Sequence, residues 1–127
     1  MSDDTRRRKT AQRGEDEAAA FLRAAGWTIL DRNWHCRGGE LDIVAQKDDT
    51  VAFVEVRTAA YHPERRPEDS VRGIKRHRVV KAAQAWLAQH PQRNVMLRFD
   101  VVGIEIGTDR STTLRHYPAA FTADILY

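Results

Sequence analysis

The sequence contains a single cysteine, Cys36, and no long apolar run. One cysteine cannot form a disulfide within the chain, and it excludes a cysteine-rich zinc site. A membrane-spanning helix needs about 20 mostly apolar residues, and no run of even about 18 is present. The basic N-terminal segment is not followed by the apolar stretch of a secretory signal. We therefore expect a protein of a reducing compartment, the cytoplasm, with no membrane partner.

Two common kinds of site also find no support in the sequence. The chain has no glycine-rich loop of the type that cradles phosphates, and its five histidines lack the paired spacing of a zinc site. A phosphate-loop nucleotide-binding protein and a histidine-based zinc protein are therefore not indicated.

Positive charge is present and is concentrated in one region. The 127 residues are 42% hydrophobic and 31% charged, with a net charge of +3, which suits one globular domain. Seven lysines and arginines lie between Arg65 and Lys81, against two acids. Such a cluster attracts phosphate backbones, so Arg72, Arg76 and Arg78 are candidate nucleic-acid contacts. The alternative is a solvated helix face.

Hydrophobic periodicity and chain breakers predict the order helix, three strands, helix, two strands. The predicted helices cover residues 11–25 and 68–89. The predicted strands cover 27–35, 40–45, 51–58, 95–106 and 113–117, and 119–126 is expected to form a short helix or turn. Residues 1–10 are expected to be a flexible basic tail, and 11–127 a single domain. The fold class is α/β, with a mixed five-stranded central sheet flanked by helices.

The second and third strands each carry an acid in the middle of an apolar segment, where core packing does not explain a carboxylate. If they form a hairpin centred on the KDDT segment, residues whose numbers sum to 97 lie opposite each other. Asp42 then faces Glu55, and Glu40 faces Arg57, where they could form a cross-strand ion pair. Because side chains alternate along a strand, Asp42 is expected on the face of Val44, with Leu41 on the other face.

Two carboxylates directly opposite each other destabilise a sheet unless something positive lies between them. Mg²⁺ prefers oxygen ligands and often uses only one or two protein carboxylates, with water and phosphate completing its shell. The alternatives are a raised pKa on one acid, or two splayed and solvated side chains at a strand edge.

The ordered segments GEDEAAAFLRAAGWTILDRNWHCRGGELDIV, FVEVRT, AAQAWL and RFDVV resemble the YraN family of uncharacterised bacterial proteins, from about Gly14 to Phe121. Asp42 followed by Glu55-Val56-Arg57 also resembles the PD-(D/E)xK nuclease signature. The resemblance implies a restriction-endonuclease-like fold close to Holliday-junction resolvases. It also implies a Mg²⁺- or Mn²⁺-dependent endonuclease that acts on DNA rather than RNA, on branched DNA among other substrates, and a homodimer as one assembly.

The resemblance assigns roles to four residues. Asp42 and Glu55 take the metal-ligand positions, Arg57 takes the lysine position, and Glu15 takes an acid that resolvase-like relatives add from the first helix. Glu15 also continues the apolar stripe of that helix toward the sheet, although an acid near a helix start is favoured by the helix dipole in any case.

Arg57 departs from the signature, because arginine stays protonated and cannot act as a general base. On the long helix, Lys75 lies within the angular span of the apolar stripe, so it either points at the site or extends into solvent. The rival interpretation is a non-catalytic nucleic-acid- or protein-binding module that keeps the nuclease fold.

Overall fold

The computed structural model describes residues 2–70 and 74–122, without the side chains of residues 74 and 75. Its elements follow the predicted order, with a short 3₁₀ helix before the second α-helix. They are α1 (Asp3–Ala24), β1 (Thr28–Cys36), β2 (Gly39–Lys47), β3 (Thr50–Ala60), the 3₁₀ helix (Pro67–Ser70), α2 (Ile74–Gln89), β4 (Met96–Ile106) and β5 (Thr112–Phe121).

Over the described ranges the five strands form one sheet in the order β1-β2-β3-β4-β5. All neighbouring strands are antiparallel except β3 and β4, which are parallel. Two parallel neighbours need a crossover connection, and here it contains the 3₁₀ helix and α2. The predicted single α/β domain with a mixed five-stranded sheet is confirmed, and it is consistent with a restriction-endonuclease-like fold.

The helices bury apolar stripes on opposite faces of the sheet. Helix α1 contributes Ala18, Ala19 and Leu22 to a core with residues of β2, β3 and β4. Helix α2 contributes Val79, Ala82 and Trp86, among others, to the second core, which contains Phe53 of β3. Each face therefore has its own hydrophobic cluster, and β3 lies between them.

Helix α1 begins much earlier than predicted. Residues 3–10 form its first turns, so the expectation of a flexible tail over 1–10 is wrong for them. The Ser2 hydroxyl accepts a hydrogen bond from the Thr5 amide at 3.2 Å, and Asp3 and Asp4 lie in the first turn. A cap and early acids both stabilise a helix start.

Neither α1 nor any other helix in the described ranges is apolar enough over sufficient length to span a membrane.

The other boundaries differ at the ends of elements. Strand β5 continues to Phe121, so a helix or turn over 119–121 is wrong, because the Ala119 amide donates to the buried Asp100 carboxylate at 3.0 Å. The rest of that predicted segment, from residue 123, lies outside the described residues. The predicted helix over 68–89 is divided into the 3₁₀ helix and α2, and residues 71–73 between them also lie outside the described ranges.

Candidate metal and phosphate site

The β2–β3 hairpin has the predicted register. Lys47 pairs with Thr50 and Ile43 with Val54, so paired residue numbers sum to 97 throughout. A two-residue turn closes the hairpin, and its first residue, Asp48, has a φ of +51°. Aspartate tolerates this left-handed conformation better than most residues, which lets KDDT form a tight turn without glycine.

Beyond the last paired residues of the hairpin, the side chain of Asp42, rather than a backbone carbonyl of β2, accepts the hydrogen bond of a β3 amide. Its Oδ2 accepts a hydrogen bond from the Val56 amide at 2.8 Å, and its carboxyl group is hydrogen-bonded to that of Glu55. The expected alternation is wrong here, because Leu41 packs in the same cluster as Val44. The strand therefore departs from regular geometry at Asp42, and its carboxyl group lies against β3.

Burial raises the pKa of both carboxyl groups of this pair. Glu55 is only 6% exposed. Burial, followed by the nearby Asp42, raises the pKa of Glu55 to about 8, although the Arg57 charge opposes this rise. Burial likewise raises the pKa of Asp42, against the hydrogen bond from Val56 and the Arg57 charge. The raised pKa of Glu55 favours a carboxyl group that keeps its proton at neutral pH beside Asp42.

Glu15 brings a third carboxyl group toward Asp42 from helix α1. Burial, followed by the negative charge of Asp42, raises the pKa of Glu15 to about 7, while Arg32 lowers it. With its amide nitrogen turned toward Glu15, Asn33 donates to Oε1 at 2.6 Å. Arg32 is itself held by Asp16, with 2.7 Å between Nη2 and Oδ1. Strand β1 therefore fixes the position of Glu15 relative to Asp42.

Arg57 lies beside the pair and contacts it directly. Its Nη2 is 2.6 Å from Glu55 Oε1. The expected ion pair between Glu40 and Arg57 is wrong, because Glu40 Oε2 lies 3.1 Å from His35 Nδ1 instead. The β1–β2 hairpin places His35 opposite Glu40, whereas the paired register of β2 and β3 has already ended at this point. In the described structure Arg57 Nε is buried without a hydrogen-bond partner.

A cleft of about 560 Å³ opens over Glu55 and Arg57. Helix α2 forms one wall and approaches the start of β2 closely, because a Cβ at Gly39 would lie 2.6 Å from the Arg78 carbonyl oxygen. The glycine therefore brings Arg78 to the edge of the cleft. The lining residues include acids, arginines and a histidine: His35, Gly38, Gly39, Glu40, Glu55, Arg57, Arg78 and Val79.

The arginines of the basic cluster do not share one surface. Arg78 lines the cleft, whereas the Arg76 guanidinium lies 5.2 Å from the centre of the Phe121 ring. Two residues apart on a helix, their side chains point in nearly opposite directions. Arg72 and the Lys75 side chain lie outside the described residues. Of the predicted helix contacts whose side chains the structure describes, Arg78 is therefore the one that lies at the cleft of Glu55.

The described residues contain no set of three His, Cys, Asp or Glu side chains already arranged around one metal position. The convergent pair is Asp42 and Glu55, with Glu15 nearby. His35 and Asn33 are two residues of this site that the sequence did not indicate. The symmetry of the β1–β2 hairpin about its glycines could have placed His35 opposite Glu40. Asn33 approaches Glu15 from a different element, and no local signal marks it.

Comparison with known proteins places this site within a family. The model of the uncharacterised protein family UPF0102 matches residues 14–104. The chain belongs to this family. A UPF0102 protein of Myxococcus xanthus is 47% identical over 117 residues, covering 92% of each chain. One of Nitratidesulfovibrio vulgaris is 45% identical over 91% of this chain and 85% of its own, and one of Geobacter sulfurreducens is 44% identical over 86% and 85%. The carboxyl pair, Glu15 and Arg57 all lie inside the matched segment.

Proposed function

We propose that this UPF0102 protein binds nucleic acid and hydrolyses phosphodiester bonds as a Mg²⁺- or Mn²⁺-dependent endonuclease, with DNA preferred over RNA. One observation carries the proposal. The buried Glu55 carboxyl group lies with Arg57 at the wall of an open cleft, and it is hydrogen-bonded to the partly buried carboxyl group of Asp42. A structural acid pair would be expected to have its charge balanced internally, as happens elsewhere in this chain at Asp100.

The residues fit a hard divalent cation. Both donors are carboxylates, and their mutual repulsion is relieved when a cation takes the place of the shared proton. Mg²⁺ is often held by one or two carboxylates with water and substrate phosphate, so Asp42 and Glu55 are sufficient, and Glu15 contributes directly or through a water molecule. When bound, such an ion acidifies a water ligand and neutralises charge on the phosphate.

The remaining chemistry belongs to side chains of the cleft. Arg57 stays protonated and presents a planar fork of donors that suits a phosphate, so it holds the scissile group and stabilises developing charge. Glu15, with a pKa of about 7, can accept a proton near neutral pH. Arg78 binds a flanking phosphate. Lys75 and Arg72 keep their proposed roles as phosphate contacts, and a homodimer and a cytoplasmic location stay predictions.

The test is a cleavage assay on single-stranded, duplex and branched DNA and on matching RNA, each with Mg²⁺ or Mn²⁺. We expect metal-dependent products from the wild type and loss of them in Asp42→Asn. The asparagine retains an oxygen that can accept from the Val56 amide, so the hairpin is preserved. Equal cleavage by both proteins would indicate a contaminating nuclease and contradict the proposal.

Arg57 in the lysine position favours a second candidate, a non-catalytic module that binds nucleic acid or a protein. An arginine paired with Glu55 at 2.6 Å could neutralise the site permanently. The same assay separates the two candidates. Salt-dependent nucleic-acid binding without cleavage of any substrate, in both wild type and Arg57→Lys, would leave only the binding module.

A further inference from the structure

A second cleft adjoins the first at Arg57. It encloses about 670 Å³, and Arg57 borders both clefts. Among its described lining residues are three arginines and no acid: Arg57, Thr58, Ala59, Ala60, Tyr61, His62, Arg65, Arg66, Pro67 and Ser70. The first cleft combines acids with bases, whereas the described lining of the second is cationic. Such a surface suits a ligand that carries successive negative charges.

Two arginines of this second cleft, Arg65 and Arg66, are available to a ligand, whereas Arg57 is paired with Glu55. Arg65 and Arg66 are both exposed, and within the described part of the chain neither forms an ion pair with a carboxylate. The Arg66 guanidinium has only a long contact of 3.5 Å with the Tyr117 hydroxyl. The Asp69 carboxylate accepts from the Arg66 backbone amide at 3.0 Å, which fixes the loop without neutralising the guanidinium.

The loop that carries these arginines is anchored to the sheet. The Glu68 carboxylate accepts hydrogen bonds from Arg115 Nε at 2.6 Å and from the Tyr117 hydroxyl at 2.8 Å. It lies over Gly103, where a Cβ would overlap it. Burial alone would raise the pKa of Glu68, but the hydrogen bonds from Arg115 and Tyr117 outweigh burial and lower it. The contacts of Glu68 with β5 therefore hold the arginine-bearing loop of the cleft in place.

Tyr61 adds an aromatic surface at the end of this cleft. Its side chain is 58% exposed, while its backbone amide donates to the Ile106 carbonyl at 2.9 Å and continues the sheet. An exposed aromatic ring on a fixed backbone beside arginines is the combination that stacks unpaired bases. At about 3.3 Å per residue, Tyr61 lies about 13 Å along β3 from Arg57, a span of only a few nucleotides.

We propose that this second cleft binds an unpaired strand of nucleic acid that flanks the scissile phosphate, with its phosphates on Arg65 and Arg66 and a base stacked on Tyr61. This inference rests on the proposed function and specifies its substrate class. Substrates with a single-stranded segment beside the cleavage point, such as overhangs, flaps or open junctions, would be preferred over continuous duplex.

Binding of a labelled, unstructured single strand, measured by fluorescence anisotropy with a chelator present, tests this inference without cleavage. Tyr61→Ala should weaken single-strand binding about 5- to 160-fold, since base stacking is worth about 1–3 kcal/mol. Tyr61→Phe should keep the wild-type affinity. Arg66→Ala should reduce the salt slope by about 0.7 for one lost phosphate contact. Arg93→Ala removes an equal charge in the loop before β4 and should change binding much less than Arg66→Ala.

Duplex DNA, single-stranded RNA and polyglutamate complete the experiment. We expect Tyr61→Ala to leave duplex binding unchanged and to weaken DNA and RNA single strands alike. The inference would be overturned if the wild type did not bind the single strand, or if Tyr61→Ala bound it as tightly as the wild type does. It would also be overturned if Tyr61→Ala lost as much affinity for duplex DNA as for the single strand, or if polyglutamate competed for the protein as well as the single strand does. Cleavage by the wild type with no effect of Tyr61 would refute this inference alone. Tyr61-dependent binding without Asp42-dependent cleavage would refute the endonuclease alone.

Discussion

Glu55 is a buried carboxyl group with a raised pKa. Arg57 lies 2.6 Å away, yet burial and Asp42 still raise the pKa of Glu55 to about 8. Asp100 shows the opposite case. It is fully buried, but hydrogen bonds from His116, Arg98 and the Ala119 amide outweigh burial and lower its pKa. The difference separates the structural role of Asp100 from the metal-binding role that we propose for Glu55.

The raised pKa of Glu55 makes stability depend on pH. Between the ordinary value of 4.5 and about 8, the folded state holds a proton that the unfolded state has lost. The free energy of unfolding of the metal-free protein should therefore fall as pH rises through this window. Glu55→Gln should make the fall shallower, as measured by urea unfolding at several pH values. An equally steep fall in the variant would show that other groups cause it.

Arg57 should affect cleavage more than binding. Arg57→Ala should lower the cleavage rate by about 10²-fold or more, the size of effect seen when one transition-state donor is removed. Its effect on affinity should be much smaller. Arg57→Lys should keep or increase the rate, because it restores the residue type of the nuclease signature. Single-turnover cleavage and anisotropy on the same substrate measure both quantities. A larger loss in affinity than in rate would make Arg57 a binding residue only.

At the level of elements, the symmetry of the sequence about a turn predicts strand register where the two strands are neighbours in the chain. The register of β2 and β3 follows from one tight turn, so it could be predicted from residue numbers alone. The face on which Leu41 lies could not be predicted, because it depends on the Asp42 side chain accepting the hydrogen bond of the Val56 amide. The position of Glu15 was indicated by the stripe of α1, but its support from Asn33 depends on how β1 packs against that helix.

Strands β4 and β5 are joined by a buried ionic network. Asp100 accepts from Arg98 Nε at 2.8 Å and lies 2.8 Å from His116 Nε2. Asp100→Ala should lower the free energy of unfolding by about 3–5 kcal/mol, the usual result of removing one partner of a buried charge pair. Urea denaturation measures the loss, and Asp49→Ala in the exposed β2–β3 turn is the control. A loss of under about 1 kcal/mol would contradict the structural role given to Asp100.

For the whole molecule, the order of elements and the mixed sheet were predictable, because hydrophobic period and chain breakers mark each element. The distribution of positive charge was not. Among the cationic residues of this segment that the structure describes, some belong to α2, others to the loop before it, and they line two different clefts, since a helix turns its side chains through 100° per residue. The cationic second cleft could not be predicted, because it depends on the fold bringing Arg65 and Arg66 beside Arg57.

This distribution predicts unequal roles for two arginines of α2. Arg78→Ala should weaken DNA binding and reduce its salt slope by about 0.7–0.9, because Arg78 lines the cleft. Arg76→Ala should have a smaller effect on binding, since Arg76 lies over Phe121. Both variants remove one charge from an exposed position of the same helix, so each controls for the other. Equal effects would indicate that only net charge matters.

The central claim is that Asp42 and Glu55 exchange a shared proton for a divalent cation. Titration calorimetry with Mn²⁺ in two buffers of different ionisation enthalpy tests it most directly, because binding to protonated ligands releases protons. We predict that at pH 7 the wild type binds Mn²⁺ with release of about one proton, that this release declines above pH 8, and that Asp42→Asn shows no binding. Equal binding by Asp42→Asn, or binding by the wild type without proton release, would contradict the account.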